Sequence, residues 1–171
     1  MKMIPGGSAG RSRLCRQGLL VLFLVVVLAA SASGGQRWSR TSPRINLTHI
    51  FEGEINSRWK PTGFHSRPGG RDPAGARVKK ILSPPNRAGV YTARVVIRDR
   101  RTGRWLEKFS TLFPDALDRE QVIKAILHGW RHRKPGRKQP WQGPSGLGFP
   151  IRGYVNHRGD INTAFPIYVK D

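Results

Sequence analysis

The sequence predicts an α+β fold, because short strands in two hairpins accompany one well-delimited amphipathic helix. The first hairpin is predicted from residues 90–98, in which apolar and polar residues alternate, and residues 104–111, with a turn at 99–103. The second hairpin is predicted from residues 151–156 and 161–169. We therefore expect a single compact domain with two small antiparallel sheets and a few helices.

The helix is predicted over residues 117–129. Asp118 and Gln121 have the spacing of a capping box, in which each side chain bonds a backbone N–H of the first turn. An apolar stripe at helical spacing follows, ending at Trp130. Residues 67–87 and 131–148 are rich in Gly, Pro and basic residues, so we expect irregular loops there. The basic residues of 67–87 and 131–138 either steer phosphates or are simply solvated charges.

The chain is strongly basic, with 31 Lys and Arg against 10 Asp and Glu and a formal charge of +21. Only four of the basic residues lie among the first 32, which leaves 27 basic against 10 acidic in the remainder. Such a charge attracts polyanions, and nucleic acid first among them. Charge alone leaves open a secreted, non-catalytic protein that binds nucleic acid or other polyanions. A membrane-active protein would need a basic amphipathic helix, which the modestly charged predicted helix does not provide.

Residues 1–32 have the organisation of a secretory signal peptide. Basic residues precede an unbroken apolar run over 19–30, and a small-residue cleavage site ends at Ala32. The run is shorter than the roughly 20 apolar residues of a membrane span. We expect an exported protein, secreted or periplasmic, with an uncleaved membrane anchor as the alternative. Residues 33–43 are expected to form a flexible basic lead-in and residues 44–171 the folded domain.

The single cysteine, Cys15, precedes the apolar run of the signal, so the exported domain is expected to contain none. Disulfides, a cysteine nucleophile and a cysteine-ligated zinc site are then excluded for that domain. His128 and His132 are spaced like metal ligands, but no carboxylate accompanies them and basic neighbours oppose a cation. We predict no metal site.

Three residues have the chemistry that metal-independent RNA cleavage requires. A base must take the 2′-hydroxyl proton and an acid must protonate the leaving 5′ oxygen, and histidine suits both tasks. His49 and His65 are the candidates for this pair. A cation must offset charge on the phosphorane, and Lys108 is the candidate.

A second set of residues has the chemistry of substrate binding. Ser110 and Thr111 follow Lys108 and either bind phosphate or only end the strand. Thr163 and Phe165 are two apart on a predicted strand, so a hydroxyl and a ring project from one face. These two residues either hold a base or form a half-buried strand face.

The order of these motifs resembles the bacterial EndoU-type nucleases. In that family a His precedes an apolar residue, a second His follows a Gly-containing turn, and a Lys precedes a Phe-Pro step. An amphipathic helix and a final Gly-x-Ile-x-Thr-Ala-aromatic-Pro stretch complete the pattern. The matching segments here are His49-Ile50, Gly63-Phe64-His65, Lys108 before Phe113-Pro114, and Gly159 to Pro166.

The resemblance implies a ribonuclease A-like fold with a cleft between two small sheets. It implies an endoribonuclease that leaves 2′,3′-cyclic phosphate ends, with a preference for uridine. His49 and His65 would be the proton-transfer pair, Lys108 the catalytic cation and Thr163 a substrate contact. Phe165 stands where many members have a tyrosine, so its ring can stack on a base but has no hydroxyl to orient it. No cofactor is implied, although manganese stimulates some relatives.

The expected partner is an RNA substrate. An exported nuclease is either a toxin against competing cells or a scavenging enzyme, and a toxin would require a cognate immunity protein. We expect a monomer with no stable membrane insertion once the signal is removed.

Overall fold

The computed structural model describes residues 37–136 and 139–171. The predicted signal peptide and residues 33–36 of the predicted lead-in lie outside these residues. The described residues belong to one compact unit of the chain. None of their helices has the length and hydropathy needed to cross a bilayer. Within the predicted lead-in, Ser39 is tied to the domain, because its backbone N–H donates to the Ile45 carbonyl at 2.9 Å.

The described residues form two α-helices and three antiparallel sheets, and they confirm the predicted α+β class. The sheets have the strand orders β1-β2, β3-β4-β5 and β6-β7-β8. In chain order the elements are α1 (Leu47–Phe51), β1 (Glu54–Ile55), β2 (Pro61–Thr62), β3 (Ala76–Ser83), β4 (Tyr91–Arg98), β5 (Trp105–Leu112), α2 (Arg119–Arg131), β6 (Trp141–Pro144), β7 (Pro150–Val155) and β8 (Ile161–Pro166).

Both predicted hairpins and the predicted helix are confirmed. β4 pairs with β5 and β7 pairs with β8. Asp118 caps α2 in the predicted box, since its carboxylate accepts from the Gln121 N–H at 2.7 Å while the Gln121 side chain accepts from the Asp118 N–H at 2.9 Å. The local sequence signals were sufficient here because alternation and capping both act over a few residues.

The prediction of an irregular loop over residues 67–87 is wrong in part, because β3 lies within it. Two register shifts interrupt its pairing with β4, one between Val78 and Lys80 and one between Ile81 and Ser83. Each extra residue reverses the side-chain alternation, so the strand loses the period of two that would have revealed it.

The prediction of a loop over residues 131–148 is also wrong in part, because β6 lies there. Gly143 resembled a turn residue, but a Cβ atom at this position would overlap the Gly129 carbonyl of α2. The glycine therefore permits close packing of the helix on the strand. β6 ends at Pro144, which lacks the N–H needed to continue a ladder.

The core has two clusters of buried apolar side chains. The larger cluster joins α1 and α2 to the β6-β7-β8 sheet, and it contains Ile50 and Phe51. The smaller cluster lies on the inner face of the β3-β4-β5 sheet and contains Phe64. His49 and His65 are chain neighbours of these residues, so the two clusters anchor the two histidines on either side.

Candidate active site

His49 is carried by α1 and is held at two points. Asn46 caps the helix, with its side-chain oxygen accepting from the His49 backbone N–H at 3.1 Å. The Asn46 amide also donates to Asn162 Oδ1 on β8 at 3.3 Å, which ties the helix to that strand. His49 Nδ1 donates to Glu54 Oε1 at 3.0 Å, and this hydrogen bond lowers the pKa of Glu54. The position and the tautomer of the His49 ring are therefore both fixed.

A tight turn brings His65 back to α1. Gly63 has φ +75°, and a Cβ atom there would overlap the His49 carbonyl, so only glycine fits. Phe64 also has a positive φ of 57°, and its N–H donates to the His49 carbonyl at 2.7 Å. The His65 N–H donates to the Ile50 carbonyl at 2.8 Å. The turn thus places the two histidines side by side.

The His65 ring is fixed in one tautomer. Its Nδ1 lies 3.1 Å from the Thr111 carbonyl oxygen, which can only accept, so Nδ1 carries the proton and Nε2 a lone pair. Ser110 Oγ lies 3.1 Å from the same nitrogen and donates to the Phe64 carbonyl at 2.8 Å. Burial, with the nearby Lys108 charge, holds the pKa of His65 well below its usual value. The His65 ring is therefore neutral at pH 7.

The two histidines and Phe165 form a row of rings. The centroids of His49 and His65 are 5.8 Å apart, with planes tilted by 34°. His65 stacks on Phe165 at 5.3 Å and 30°. The histidines are 7% and 8% exposed, so both rings are largely removed from solvent. This arrangement joins three of the predicted site residues.

Lys108 lies on the inner face of β5. Its Nζ donates to the Gly63 carbonyl at 2.9 Å, at the turn that positions His65. Burial lowers the pKa of Lys108 to about 8. The lysine therefore keeps most of its charge at pH 7 but carries a desolvation cost.

Thr163 and Phe165 share a face of β8, as their spacing predicts. The local pairing with β7 is regular, with Tyr154 opposite Thr163 and Arg152 opposite Phe165. The Thr163 hydroxyl is buried and has no hydrogen-bond partner among the described residues. A buried hydroxyl without a hydrogen-bond partner is a candidate contact for a bound molecule.

Ser110 and Thr111 are both in the site, but they contact His65. Ser110 is 1% exposed, and its hydroxyl lies between the His65 ring and the Phe64 carbonyl. Thr111 contributes its backbone carbonyl to the same ring. This geometry gives the two residues a part in orienting the histidine.

Three residues of the site were missed from the sequence. Glu54 orients His49, while Arg152 and the 42% exposed Tyr154 lie beside Phe165 and Thr163 on the neighbouring strand. The pairing of the predicted hairpin of residues 151–156 and 161–169 was a usable signal for the last two. For Glu54 the only signal was that an acidic residue is rare in this basic chain.

His128 and His132 lie elsewhere in the domain, in and just after α2. Their rings stack at 4.1 Å, and both Nδ1 atoms donate to backbone carbonyls at 2.9 Å. Among residues 37–136 and 139–171, no group of three or more His, Cys, Asp or Glu side chains is arranged to hold a metal ion.

Comparisons with known proteins concern the family of this chain. The sequence profile described as Bacterial EndoU nuclease matches residues 43–168. A curated Bacillus cereus protein named "Toxin" is 31% identical over 125 residues, which are 70% of this chain and 22% of that relative. The chain thus corresponds to a minor part of the relative's length. No solved structure matches the chain significantly. Because the family profile spans most of the chain and all seven predicted site residues, this chain belongs to the bacterial EndoU nuclease family.

Proposed function

We propose that the protein is an endoribonuclease that cleaves RNA by transesterification. The ribose 2′ oxygen attacks the adjacent phosphorus, the bond to the 5′ oxygen breaks, and the products are a 2′,3′-cyclic phosphate and a 5′-hydroxyl. The observation that carries this proposal is the pairing of two histidine rings 5.8 Å apart beside a buried lysine. These groups supply a base, an acid and a cation.

His65 acts as the base in this proposal. Its Nδ1 proton is held by the Thr111 carbonyl, so the Nε2 lone pair is the one available for the 2′-hydroxyl proton. Its lowered pKa keeps it neutral at pH 7, which a base requires. Ser110 is a positioning residue, because it acts on the ring and is almost fully buried.

His49 acts as the acid. The Glu54 carboxylate against Nδ1 offsets the positive charge of a protonated ring. The proton on Nε2 is then the one transferred to the leaving 5′ oxygen. The different surroundings of the two rings thus divide the roles between them, since one faces a carboxylate and the other a carbonyl beside a lysine.

Lys108 stabilises the charge that develops on the phosphorane oxygens. Its ammonium is partly buried, and a charge in such a place acts more strongly than one in water. Phe165 is proposed to contact the base, and Thr163 to donate or accept a hydrogen bond with it. A hydroxyl that can do both suits uracil, whose edge carries both carbonyls and an N–H. A preference for uridine is therefore part of the proposal.

The biological setting is proposed as well. We propose an exported, secreted or periplasmic monomer that acts as a toxin against competing cells, which the name of the Bacillus cereus relative supports. A cognate immunity protein would then be its partner. The site residues are sufficient for the reaction without a resident cofactor, and a substantial rate is expected to persist in excess chelator.

The main alternative is a non-catalytic protein that binds nucleic acid or other polyanions. The formal charge of +21 favours it, because charge alone gives tight, salt-sensitive binding. Binding without cleavage would be its signature.

Replacing either histidine tests the proposed function. His49→Ala and His65→Ala are each expected to reduce the rate of RNA cleavage by about 10²–10⁴-fold, because each removes one proton-transfer group. Binding of the same RNA should persist. His157→Ala, in the exposed turn between β7 and β8, is the matched control and should keep the parent rate. Full activity in either site variant, or RNA binding by the parent without any cleavage, would refute the proposal.

A further inference from the structure

The β3-β4-β5 sheet has a second face, directed away from its apolar core. We call it the outer face. Lys79 lies on it through its contact with Glu107, and the register places the others there: Arg77, Lys80, Arg94, Arg98, Trp105, Glu107 and Phe109.

Side-chain contacts confirm that these residues share one face. The Arg77 guanidinium lies over the Trp105 ring at 4.4 Å. Lys79 Nζ donates to Glu107 Oε2 at 2.6 Å, and Arg94 Nε lies 3.7 Å from Glu107 Oε1. Three strands therefore contribute to one continuous surface.

The outer face is strongly positive. It carries five Lys and Arg side chains and one carboxylate, that of Glu107. The hydrogen bond from Lys79 lowers the pKa of Glu107, so this carboxylate is ionised and paired with its basic neighbours. The remaining charge is positive, and it is available to phosphate groups.

Two large aromatic rings lie among these charges. Trp105 is 38% exposed and Phe109 is 53% exposed. They are four residues apart on one strand, or about 13 Å, so they would contact bases that are not adjacent in a stack. Apolar rings next to guanidinium groups are typical of surfaces on which unpaired bases stack.

The same strand connects this face to the active site. Successive residues of β5 point to opposite faces, so Lys108 and Ser110 project toward His65 while Trp105 and Phe109 project outward. β5 is also an edge strand of its sheet. An RNA strand on the outer face needs only to pass over this edge to continue toward the catalytic residues.

We propose that the outer face binds single-stranded RNA at a site separate from the catalytic cleft, with Trp105 and Phe109 as stacking platforms and the surrounding cations on the phosphates. That the bound RNA is substrate rests on the proposed function. Single-stranded RNA fits better than an acidic protein, because the exposed rings of β5 lie beside cations of β3 and β4 and every base offers a face to stack on.

The test is RNA binding by a catalytically silent protein, so that cleavage does not interfere. In a His49→Ala/His65→Ala background, adding Trp105→Ala and Phe109→Ala should weaken binding of a fluorescent 20-nucleotide single-stranded RNA by about tenfold or more. The matched control is Ile81→Ala/Leu82→Ala, which removes two exposed apolar side chains of β3 and should leave the affinity unchanged. Replacing Trp105 by Phe and Phe109 by Trp keeps two rings and should restore most of the affinity.

Binding measurements at high salt and with a protein-like polyanion distinguish base stacking from charge attraction. The loss caused by the two alanine substitutions should persist at high salt, because stacking does not depend on counterion release. An equal loss of binding to poly-glutamate would assign the face to acidic proteins and overturn the proposal. Unchanged RNA affinity in the alanine variant would overturn it as well. These outcomes are independent of the proposed function, which depends on cleavage by the parent protein.

Discussion

Replacing Lys108 by methionine is expected to lower the rate of RNA cleavage by about 10²–10³-fold, because it removes the cation proposed to offset charge on the phosphorane. The substitution is also expected to make the domain more stable. Burial lowers the pKa of Lys108 from 10.5 to about 8, so the charged side chain destabilises the folded state at pH 7. Allowing for the lost hydrogen bond to Gly63, we expect a net gain of about 1 kcal/mol.

The pH dependence of stability provides a second readout for Lys108. Between about pH 8 and 10.5 the unfolded chain keeps a proton that the folded chain has released. The free energy of unfolding of the parent should therefore receive a contribution from Lys108 that rises with pH in this window, and the variant should lack it. Thermal unfolding at several pH values measures the difference.

Lys124→Met is the matched control, because Lys124 is exposed on α2 and forms an ion pair with Glu120 there. It should leave the cleavage rate unchanged and give no gain in stability. A Lys108→Met protein that cleaves RNA normally would remove the lysine from the reaction. A Lys108→Met protein that is less stable than the parent would show that desolvation of the Lys108 charge does not destabilise the folded state.

Gly63→Ala is expected to disrupt the site through the backbone. An alanine at φ +75° is strained, and its Cβ atom would overlap the His49 carbonyl, which accepts the Phe64 N–H. We expect a loss of about 3–5 kcal/mol in the free energy of unfolding, at the upper end for single substitutions. The turn that pairs His49 with His65 would shift, so cleavage should fall by at least about 10²-fold even where the variant is folded.

Gly159→Ala distinguishes backbone strain at a positive φ from overlap of the added Cβ atom with a neighbour. Gly159 has φ +80°, close to that of Gly63, but a Cβ atom there meets nothing within 4 Å. This control should lose only about 1–2 kcal/mol and keep its activity. Equal losses in the two variants would mean that the close approach of the Gly63 turn to α1 has no role in holding the site.

Features that depend on neighbouring residues were predictable from the sequence. The alternation in β4 and the Asp118–Gln121 box are local, and both are present in the structure. Thr163 and Phe165 share a face because that property follows from strand geometry. The order of the motifs also indicated the family, since each short motif became informative through the others.

Features that depend on tertiary contacts were not predictable. The register shifts of β3 removed the alternation that would have identified the strand. Gly143 resembles a loop residue because the sequence does not show that it packs against α2. Ser110 was expected near phosphate, but only the fold shows its hydroxyl against His65. The difference between the two histidines likewise arises from partners distant in the chain, such as Thr111 for His65.

The most direct test of RNA transesterification is cleavage of two matched strands that differ only by a 2′-deoxyribose at the cut position. The 2′-hydroxyl is the nucleophile in the proposed reaction, so the parent protein should cut the all-ribose strand to a 2′,3′-cyclic phosphate and a 5′-hydroxyl. It should leave the deoxy-substituted position intact. Mass spectrometry of the product ends measures both outcomes. Equal cutting of the two strands would contradict the roles assigned to His49, His65 and Lys108.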